Sequence, residues 1–381
     1  MNYHILVDDK FCPTFINDIR AIDLSNENKF IIRKHGDLKF INSTDKATVV
    51  NNNVDDLLFE LMEVQNGDKV IFHWFDNIAG EIARRIKCKC LIYAVHWGGD
   101  FFIADNPFLF KYLYDEKTKG YVKKKLGYSY INIRNTYSMM KKWLIAYKKY
   151  KLKTKQVAAI DRILIHPLNQ YDIDLTKKIY KGSRFSSIPF FYSNVLPQMS
   201  IYPPKSINKG KVKILLGNSA TETNNHFEAI DKFVGLNNIE INCLLSYGNN
   251  EYRQELIEYG KEKLGENFIP ILDYLPNEKY LKFLNEMDIF FMFHNRSQAF
   301  NTILYGLFLN KYIFIKDENS IYKLLESIGV NVYNANKFNF QQLDMLISDN
   351  NKFNFNEQYH NYFSEKVYVD FLHQFTQKFV T

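Results

Sequence analysis

The chain has 381 residues, of which 46% are hydrophobic and 24% are charged, and its formal net charge is +7. This length suits two folded domains, and this composition is ordinary for a folded soluble protein. No apolar run approaches the roughly 20 residues needed to cross a bilayer. Asp8 and Asp9 stand where a signal peptide is basic and then apolar. We therefore expect neither an integral membrane protein nor a secreted one.

Strand-like and helix-like stretches alternate along the first 200 residues. Strands are predicted over 3–9, 29–35, 69–75, 90–97, 161–167 and 186–193. Helices are predicted over 14–22, 54–62 and 77–86. Apolar strands that alternate with helices indicate a parallel sheet covered on both faces. We therefore assign residues 1–200 to an N-terminal Rossmann-like domain.

A basic segment, residues 111–155, interrupts this alternation and is expected to be mostly helical. It holds 14 Lys and Arg but only two acidic residues, a net of +12, whereas the rest of the chain has a net of −5. Its lysines are interleaved with Tyr and Trp, a composition that suits an anionic membrane surface. A solvated helical face with its aromatic rings turned to the core explains the composition equally well. A nucleic-acid groove ranks third, because no nucleic-acid-binding motif accompanies the charge.

The stretch 195–211 holds three prolines and one glycine, which is typical of a linker between domains, and we place that linker at 201–211. The alternation then restarts in a C-terminal domain over 212–360. Strands are predicted over 212–217, 240–248, 268–275, 288–294 and 311–315. Helices are predicted from near Asn225 and over 251–264, 277–287, 301–310 and 320–329. The chain ends in a helical segment, 361–381.

The four cysteines show no spacing of a disulfide framework or a zinc site. Only Cys88 and Cys90 are close in sequence, and the other two are Cys12 and Cys243. We expect four reduced thiols in a reducing compartment, and no bound metal.

Short polar side chains crowd the end of the strand predicted over 212–217. Gly217 allows a sharp turn and a close approach to a ligand. It is followed by Asn218, Ser219, Thr221, Thr223 and Asn224. A helix beginning near Asn225 would turn its positive end toward the same place, which favours an anion such as phosphate. Helix capping alone needs only one such side chain, and no dinucleotide-binding glycine pattern is present.

The strand predicted over 288–294 ends in a similar way. A short polar loop with Arg296, Ser297 and Gln298 leads into a helix that opens at Asn301 and Thr302. An arginine can clamp a phosphate through two parallel hydrogen bonds, although a surface arginine followed by a helix cap would look the same. Because parallel strands end at one edge of a sheet, the two junctions together indicate a diphosphate site. Tyr247, after its own strand, is placed to touch a pyrimidine or ribose.

The N-terminal domain contributes a junction of a different kind. His96 and Asp100 flank the tandem glycines Gly98 and Gly99 after one strand, and His73 lies near the end of the strand before it. These three side chains are candidate catalytic bases, although a lone histidine after a strand is more often structural.

These junctions resemble the bacterial N-acetylfucosaminyltransferases of glycosyltransferase family 56, most strongly from Lys213 to Asn310. The matching residues are Gly217, Asn218, Ser219, Asn224 and His226 at the first junction, Arg296, Gln298 and Thr302 at the second, and Trp97, Gly98 and Asp100 in the N-terminal domain. Two positions at which the family tends to show glycine are Ala299 and Asn301 here.

The resemblance implies an α/β fold of the GT-B type, in which two doubly wound Rossmann-like domains face each other across a cleft. The C-terminal domain would bind a TDP-, GDP- or UDP-sugar without a metal or cofactor. The N-terminal domain would bind a lipid-linked glycan acceptor, with Asp100, His73 or His96 as the base. The last helix would cross back to the N-terminal domain.

The resemblance further implies a peripheral enzyme on the cytoplasmic face of the bacterial inner membrane, where common antigen or O-antigen is assembled. Two other classes stay open at this point. One is a nucleotide-sugar epimerase on the same scaffold, and the other is a non-catalytic basic protein that binds polyanions.

Overall fold

A computed structural model describes residues 1–22, 27–42, 45–128, 136–165, 170–190, 192, 210–348 and 364–376. The chain divides into two compact units. The first unit consists of Met1–Ile103, Leu144–Asn194 and Ser364–Thr381, and the second consists of Ala104–Trp143 and Val195–Phe363. In the described part of the chain, no helix is both long enough and apolar enough to span a bilayer.

The first unit is built on a sheet of seven parallel strands in the order β3-β2-β1-β4-β5-β6-β7. The strands are β1 (Asn2–Val7), β2 (Asn28–Lys34), β3 (Thr48–Asn51), β4 (Lys69–Phe72), β5 (Leu91–His96), β6 (Arg162–Ile165) and β7 (Ser186–Pro189). The helices include α1 (Cys12–Ile22), α2 (Val54–Glu60) and α3 (Asn77–Arg85). All four residues of β4 are buried, as expected for a central strand covered on both faces.

Three further helices have residues in the first unit. They are α6 (Thr136–Val157), which begins in the second unit, α7 (Gln170–Ile179) and α14 (Glu365–Thr376). The last of these, α14, packs against α1. The Tyr368 hydroxyl lies 2.5 Å from Asp18 Oδ2 and 2.8 Å from the carbonyl oxygen of Tyr192. The C-terminal helix is therefore part of the first unit.

The second unit repeats the topology with six parallel strands in the order β10-β9-β8-β11-β12-β13. The strands are β8 (Val212–Leu216), β9 (Ile239–Leu244), β10 (Phe268–Ile271), β11 (Ile289–Met292), β12 (Tyr312–Ile315) and β13 (Tyr333–Asn334). The helices are α4 (Phe110–Leu113), α5 (Glu116–Leu126), α8 (His226–Asp231), α9 (Asn250–Leu264), α10 (Asn277–Glu286), α11 (Phe300–Phe308), α12 (Ser320–Ser327) and α13 (Phe340–Ser348). The strand order reverses between β8 and β11, where open parallel sheets place their ligand sites.

The core of the second unit lies on both faces of its sheet, because successive side chains of a strand point to opposite sides. Ile214 and Leu216 of β8 belong to one buried cluster, whereas Leu215 between them belongs to the other. Phe291 and Phe290 of β11 divide in the same way. The predicted fold class, two doubly wound α/β domains, is confirmed.

The division of the chain differs from the predicted one in the basic segment. We assigned 111–155 to the N-terminal domain, but Ala104–Trp143 groups with the second unit. The reason is a set of polar contacts, including those of Thr118, whose backbone N–H and hydroxyl donate to Glu228 at 2.8 and 2.6 Å. The predicted linker lies outside the described residues over 201–209.

Candidate active site

The loop after β8 turns at Gly217, which adopts φ +62°. A Cβ atom at this position would lie 2.6 Å from His226 Nε2 and 3.0 Å from Asn224 Oδ1. Both the left-handed backbone and the lack of space therefore require glycine here. The turn lets the following polar residues fold back over the tip of the strand.

Asn224 holds this polar loop together from within. Its amide nitrogen lies 3.1 Å from the carbonyl oxygen of Ser219, and 3.2 and 2.9 Å from the carbonyl oxygen and Oγ1 of Thr221. Its amide oxygen accepts from the backbone N–H of Asn218 at 3.3 Å. Because Asn224 is only 1% exposed, its geometry suits a brace for the loop rather than the ligand contact that we predicted.

Gln298 joins the loops that follow β8 and β11. Its Oε1 accepts from the Thr223 hydroxyl at 2.7 Å, and its Nε2 donates to Asn218 Oδ1 at 2.9 Å and to Thr221 Oγ1 at 3.3 Å. The two polar strand ends that the sequence singled out thus meet at the switch point of the sheet. We call this pair of joined loops the strand-tip site.

Arg296 is a nearly buried cation within the strand-tip site, with an exposed fraction of 8%. Its Nη1 donates to the carbonyl oxygen of Ser297 at 2.7 Å. Asn319 fixes the backbone on either side, because its amide nitrogen donates to the carbonyl oxygens of His294 and Arg296 at 2.8 and 2.7 Å. The guanidinium is therefore carried by a rigid loop, which suits the binding of an anion in a defined position.

Helix α11 begins directly after this loop. Ala299, one of the two positions at which the resembling family tends to carry glycine, precedes it with φ +57° and makes no side-chain capping hydrogen bond. The Thr302 hydroxyl lies 2.9 Å from the hydroxyl of Tyr280, so the Thr302 side chain is directed at α10. Asn301 is half-buried. A nine-residue helix thus starts at the strand-tip site with its positive end toward Arg296.

The other predicted helix end does not serve this purpose. Helix α8 has six residues and starts at His226, behind a short 3-10 turn over Glu222–Asn224. Asn225 between them is fully buried with φ +52°, and its amide donates to the carbonyl oxygens of Leu113 and Phe293. The anion-binding helix end that we expected near Asn225 is therefore packed inside the unit.

An ion pair that the sequence analysis missed supports the Arg296 loop. Lys316, just after β12, lies 2.8 Å from both carboxylate oxygens of Asp115 and 2.6 Å from Asn295 Oδ1. Asn295 Nδ2 also donates to Asp115 at 3.0 Å. Lys316 could have been identified from the sequence, because it is the first residue after a predicted strand. Asp115 carried no signal, because it lies 201 positions away in the chain.

Two buried histidines lie behind the strand-tip site, His226 in α8 and His294 after β11. Burial lowers the pKa of each imidazole to about 3, so both rings are neutral at neutral pH. Nδ1 of His226 lies 3.2 Å from the Tyr252 hydroxyl. Within the described residues, neither Nε2 atom has a hydrogen-bond partner.

Tyr247 follows β9 at the edge of the strand-tip site. Its hydroxyl accepts from Asn218 Nδ2 at 3.2 Å, and its carbonyl oxygen accepts from the Ala220 N–H at 2.7 Å. The side chain is nevertheless 56% exposed. The ring is thus anchored at both ends beside Asn218 and presents an open face, as a platform for a flat ring would.

In the first unit, His73 is a buried member of a polar chain. Its Nδ1 lies 2.6 Å from the Tyr192 hydroxyl and its Nε2 lies 3.0 Å from His4 Nδ1, while His4 Nε2 lies 2.9 Å from Asn28 Oδ1. Burial lowers the pKa of the His73 imidazole well below its usual value, which favours the neutral ring. Both ring nitrogens are occupied inside the unit, so its geometry is structural rather than that of the predicted base.

Asp100 and His96 are likewise engaged in the interior. Asp100, 5% exposed, accepts the backbone N–H groups of Trp97 and Phe75 at 3.2 and 3.1 Å. Burial raises the pKa of this carboxyl, and His96 and Lys153 oppose the rise. His96 Nε2 lies 3.0 Å from the Thr176 hydroxyl. The structure therefore uses all three predicted bases to hold the first unit together.

No metal centre accompanies these groups in the described part of the chain, where no three His, Cys, Asp or Glu side chains are arranged to hold an ion.

Solved structures with the same architecture cover almost the whole chain. Sucrose-phosphate synthase from Thermosynechococcus elongatus aligns with a TM-score of 0.66 at 8% identity over 98% of both chains. The lipopolysaccharide outer core galactosyltransferase WaaB aligns with a TM-score of 0.58 at 10% identity, again over 98% of both. An E. coli trehalose-6-phosphate protein bound with UDP-2-fluoro glucose gives 0.61 at 8% identity, over 100% of this chain and 99% of that one. These likenesses establish the GT-B fold.

No curated protein sequence matches the chain significantly. A family model described as 4-alpha-L-fucosyltransferase, glycosyl transferase group 56, matches residues 137–373. Because this match extends over more than half of the sequence, the chain belongs to glycosyltransferase group 56 and is a glycosyltransferase.

Proposed function

We propose that this glycosyltransferase moves a deoxy-amino or fucose-like sugar from a nucleotide diphosphate donor to a lipid-linked glycan. The product would enter a bacterial surface polysaccharide of the common antigen or O-antigen type. Membership of group 56 supports the sugar class. The UDP-sugar held by a structural neighbour supports a nucleotide-linked donor.

The observation that carries the donor proposal is the junction made by Gln298. It brings the polar loop after β8 against the loop that holds Arg296, at the switch point of the sheet. A diphosphate bound there would have the guanidinium and the start of α11 on its oxygens, and the open ring of Tyr247 beside its base. We assign donor binding to Gly217, Asn218, Ser219, Tyr247, Arg296, Gln298, Asn301 and Thr302, with Asn224 as the internal brace.

The chemistry follows from this placement. The acceptor hydroxyl oxygen forms a bond to the anomeric carbon, and the bond from that carbon to the diphosphate oxygen breaks, so the electron pair leaves with the diphosphate. The hydroxyl proton passes to the departing diphosphate, which is a base. Fixed positive charge at the leaving group is usually the largest catalytic contribution available. In this mechanism Arg296 supplies that charge. Asp100, His73 and His96 take no step in it, since their polar atoms are engaged inside the first unit.

Binding of TDP, GDP and UDP to the wild type and to Arg296→Ala tests the donor site. A charge-assisted hydrogen bond contributes about 1.5–3 kcal/mol, so we expect the dissociation constant for the preferred nucleotide to rise by roughly 10- to 100-fold. Lys261→Ala is the matched control, because it removes one positive charge from the far end of α9, near the opposite edge of the sheet. Affinity within twofold of wild type for Arg296→Ala would refute the proposal.

We also propose that the enzyme works as a peripheral protein on the cytoplasmic face of the bacterial inner membrane, where a lipid-linked acceptor is presented. The support is the excess of positive charge in residues 111–155. Vesicles that carry a lipid-linked glycan should accept radiolabelled sugar from the preferred donor. Hydrolysis of the donor with no transfer to any lipid-linked glycan would contradict this proposal.

A further inference from the structure

Helix α6 carries an exposed surface that is both basic and apolar. Between Thr136 and Ile160 the chain has seven lysines and no acidic residue. Side chains on its outer face recur at intervals of three and four residues, which places them in one row. Tyr137, Met140 and Leu144 in this row are 82%, 60% and 59% exposed.

The opposite face of α6 accounts for its anchoring in the first unit. Ala146, Lys153, Gln156 and Val157 are buried. Gln156 Nε2 donates to the carbonyl oxygen of Asn77 at 3.1 Å, and Lys153 Nζ donates to that of Phe75. These contacts hold the helix through its buried face. From 137 to 147, five large apolar or aromatic side chains are at least 44% exposed, whereas Trp143 packs against Phe108 and Tyr128.

The other half of the basic segment is different, because two lysines of α5 pair with acidic residues elsewhere in the second unit. Lys117 pairs with Asp231, and Lys125 lies 3.1 Å from Glu251. On α6, by contrast, Lys141, Lys148 and Lys151 form no ion pair with an acidic side chain of the described residues. Unneutralised positive charge in the segment is thus concentrated on α6.

We propose that the outer face of α6 is a docking surface for an anionic lipid bilayer, a refinement that rests on the proposed transfer to a lipid-linked acceptor. Lysines that alternate with Tyr, Met and Leu match such a surface, since the ammonium groups meet phosphate while the apolar chains enter the headgroup boundary. A nucleic-acid partner would use the charge but leave Met140 and Leu144 in water.

Sedimentation with vesicles of phosphatidylcholine and phosphatidylglycerol tests the charge component. Each lysine close to an anionic surface strengthens binding about fivefold at low salt, so replacing Lys141, Lys148 and Lys151 by Gln should weaken vesicle partitioning about 100-fold. The control replaces the exposed Lys261, Lys279 and Lys282 by Gln, which lowers the net charge equally. Its partitioning should remain within about threefold of wild type, as expected if binding depends on the lysines of α6 rather than on net charge alone.

The apolar component is tested by Met140→Gln combined with Leu144→Gln. Both positions are exposed and glutamine is a good helix former, so folding should be preserved, as circular dichroism would check. At about 0.5 M salt, where charge is largely screened, this variant should lose most of the remaining binding to the vesicles.

Three results would overturn the proposal. The first is equal binding to vesicles of phosphatidylcholine alone. The second is partitioning of the α6 lysine variant within twofold of wild type. The third is binding of wild type to duplex DNA or heparin but not to vesicles. Nucleotide affinity measured on the same proteins separates this proposal from the donor site. All α6 variants should bind the preferred nucleotide like wild type. Failure of wild type to bind any nucleotide would refute the proposed function instead.

Discussion

The ion pair between Lys316 and Asp115 should couple the segment 104–143 energetically to the Arg296 loop. Lys316→Met and Asp115→Asn each remove one charge while keeping most of the side-chain volume. Together with the double variant they form a cycle that isolates the interaction between the two side chains. We expect each single variant to lose stability, and the double variant to lose less than the sum of both.

The magnitude follows from distance and burial. The ammonium lies 2.8 Å from the carboxylate, and the two side chains are only 3% and 23% exposed. Unit charges about 4 Å apart attract by about 4 kcal/mol at an effective dielectric constant of 20, and the dehydration of Lys316 opposes part of that attraction. We therefore expect a coupling free energy of about 2 kcal/mol, against roughly 0.5 kcal/mol for an exposed pair.

Urea unfolding at neutral pH measures this coupling, because urea carries no charge and does not screen the pair. Hydrogen exchange in peptides from α5 assigns the change to the second unit, where we expect faster exchange in either single variant. The exposed pair Arg84 and Glu81, with side chains 38% and 36% exposed, is the control cycle. A coupling for Lys316 and Asp115 that is no larger than the control value would refute the reasoning.

Three further predictions concern single side chains. Ala299→Gly should raise the free energy of unfolding by about 0.5–1 kcal/mol, because glycine adopts φ +57° without strain; a lower midpoint in urea would contradict this. Asp100→Asn should cost about 1–3 kcal/mol, because its amide nitrogen cannot accept the N–H of Phe75 or Trp97, and unchanged stability with abolished turnover would make Asp100 the base after all. Burial lowers the pKa of Lys153 in the folded protein to about 8. Between this pH and the ordinary pKa of a lysine, the unfolded chain therefore binds more protons than the folded protein. Stability should therefore rise with pH across this window, and Lys153→Met should flatten the rise in unfolding measured at several pH values.

The fold was predictable because the strands are apolar runs separated by helices with clear periodicity. β11, predicted within 288–294, is observed at Ile289–Met292, and all four of its residues are buried. Short elements escaped the sequence analysis, such as β3 over Thr48–Asn51, whose alternation is too brief to stand out. Four residues of alternating burial leave little pattern for a periodicity argument, whereas a continuous apolar run of the same length, as in β11, stands out.

The position of the strand-tip site could be predicted from the sequence, but the roles of its individual residues could be predicted only in part. Arg296 and Gln298 were found because they follow a strand, and the parallel topology places such residues at one edge. Burial was not predictable from order along the chain, so His73 and Asp100 looked like accessible bases although their polar atoms are occupied. Helix α8 begins only after Asn225, whose backbone is left-handed. The spacing of hydrophobic residues does not reveal such a backbone conformation.

The interleaved composition of the two units has a consequence for how the protein is made. The chain passes from one unit to the other after Ile103, Trp143, Asn194 and Phe363. A ribosome therefore delivers the final helix of the first unit only after the entire second sheet has been synthesised. The first unit therefore cannot be completed before the second, and a fragment cut at 201–211 would leave the second sheet without the strand-tip support supplied by Asp115.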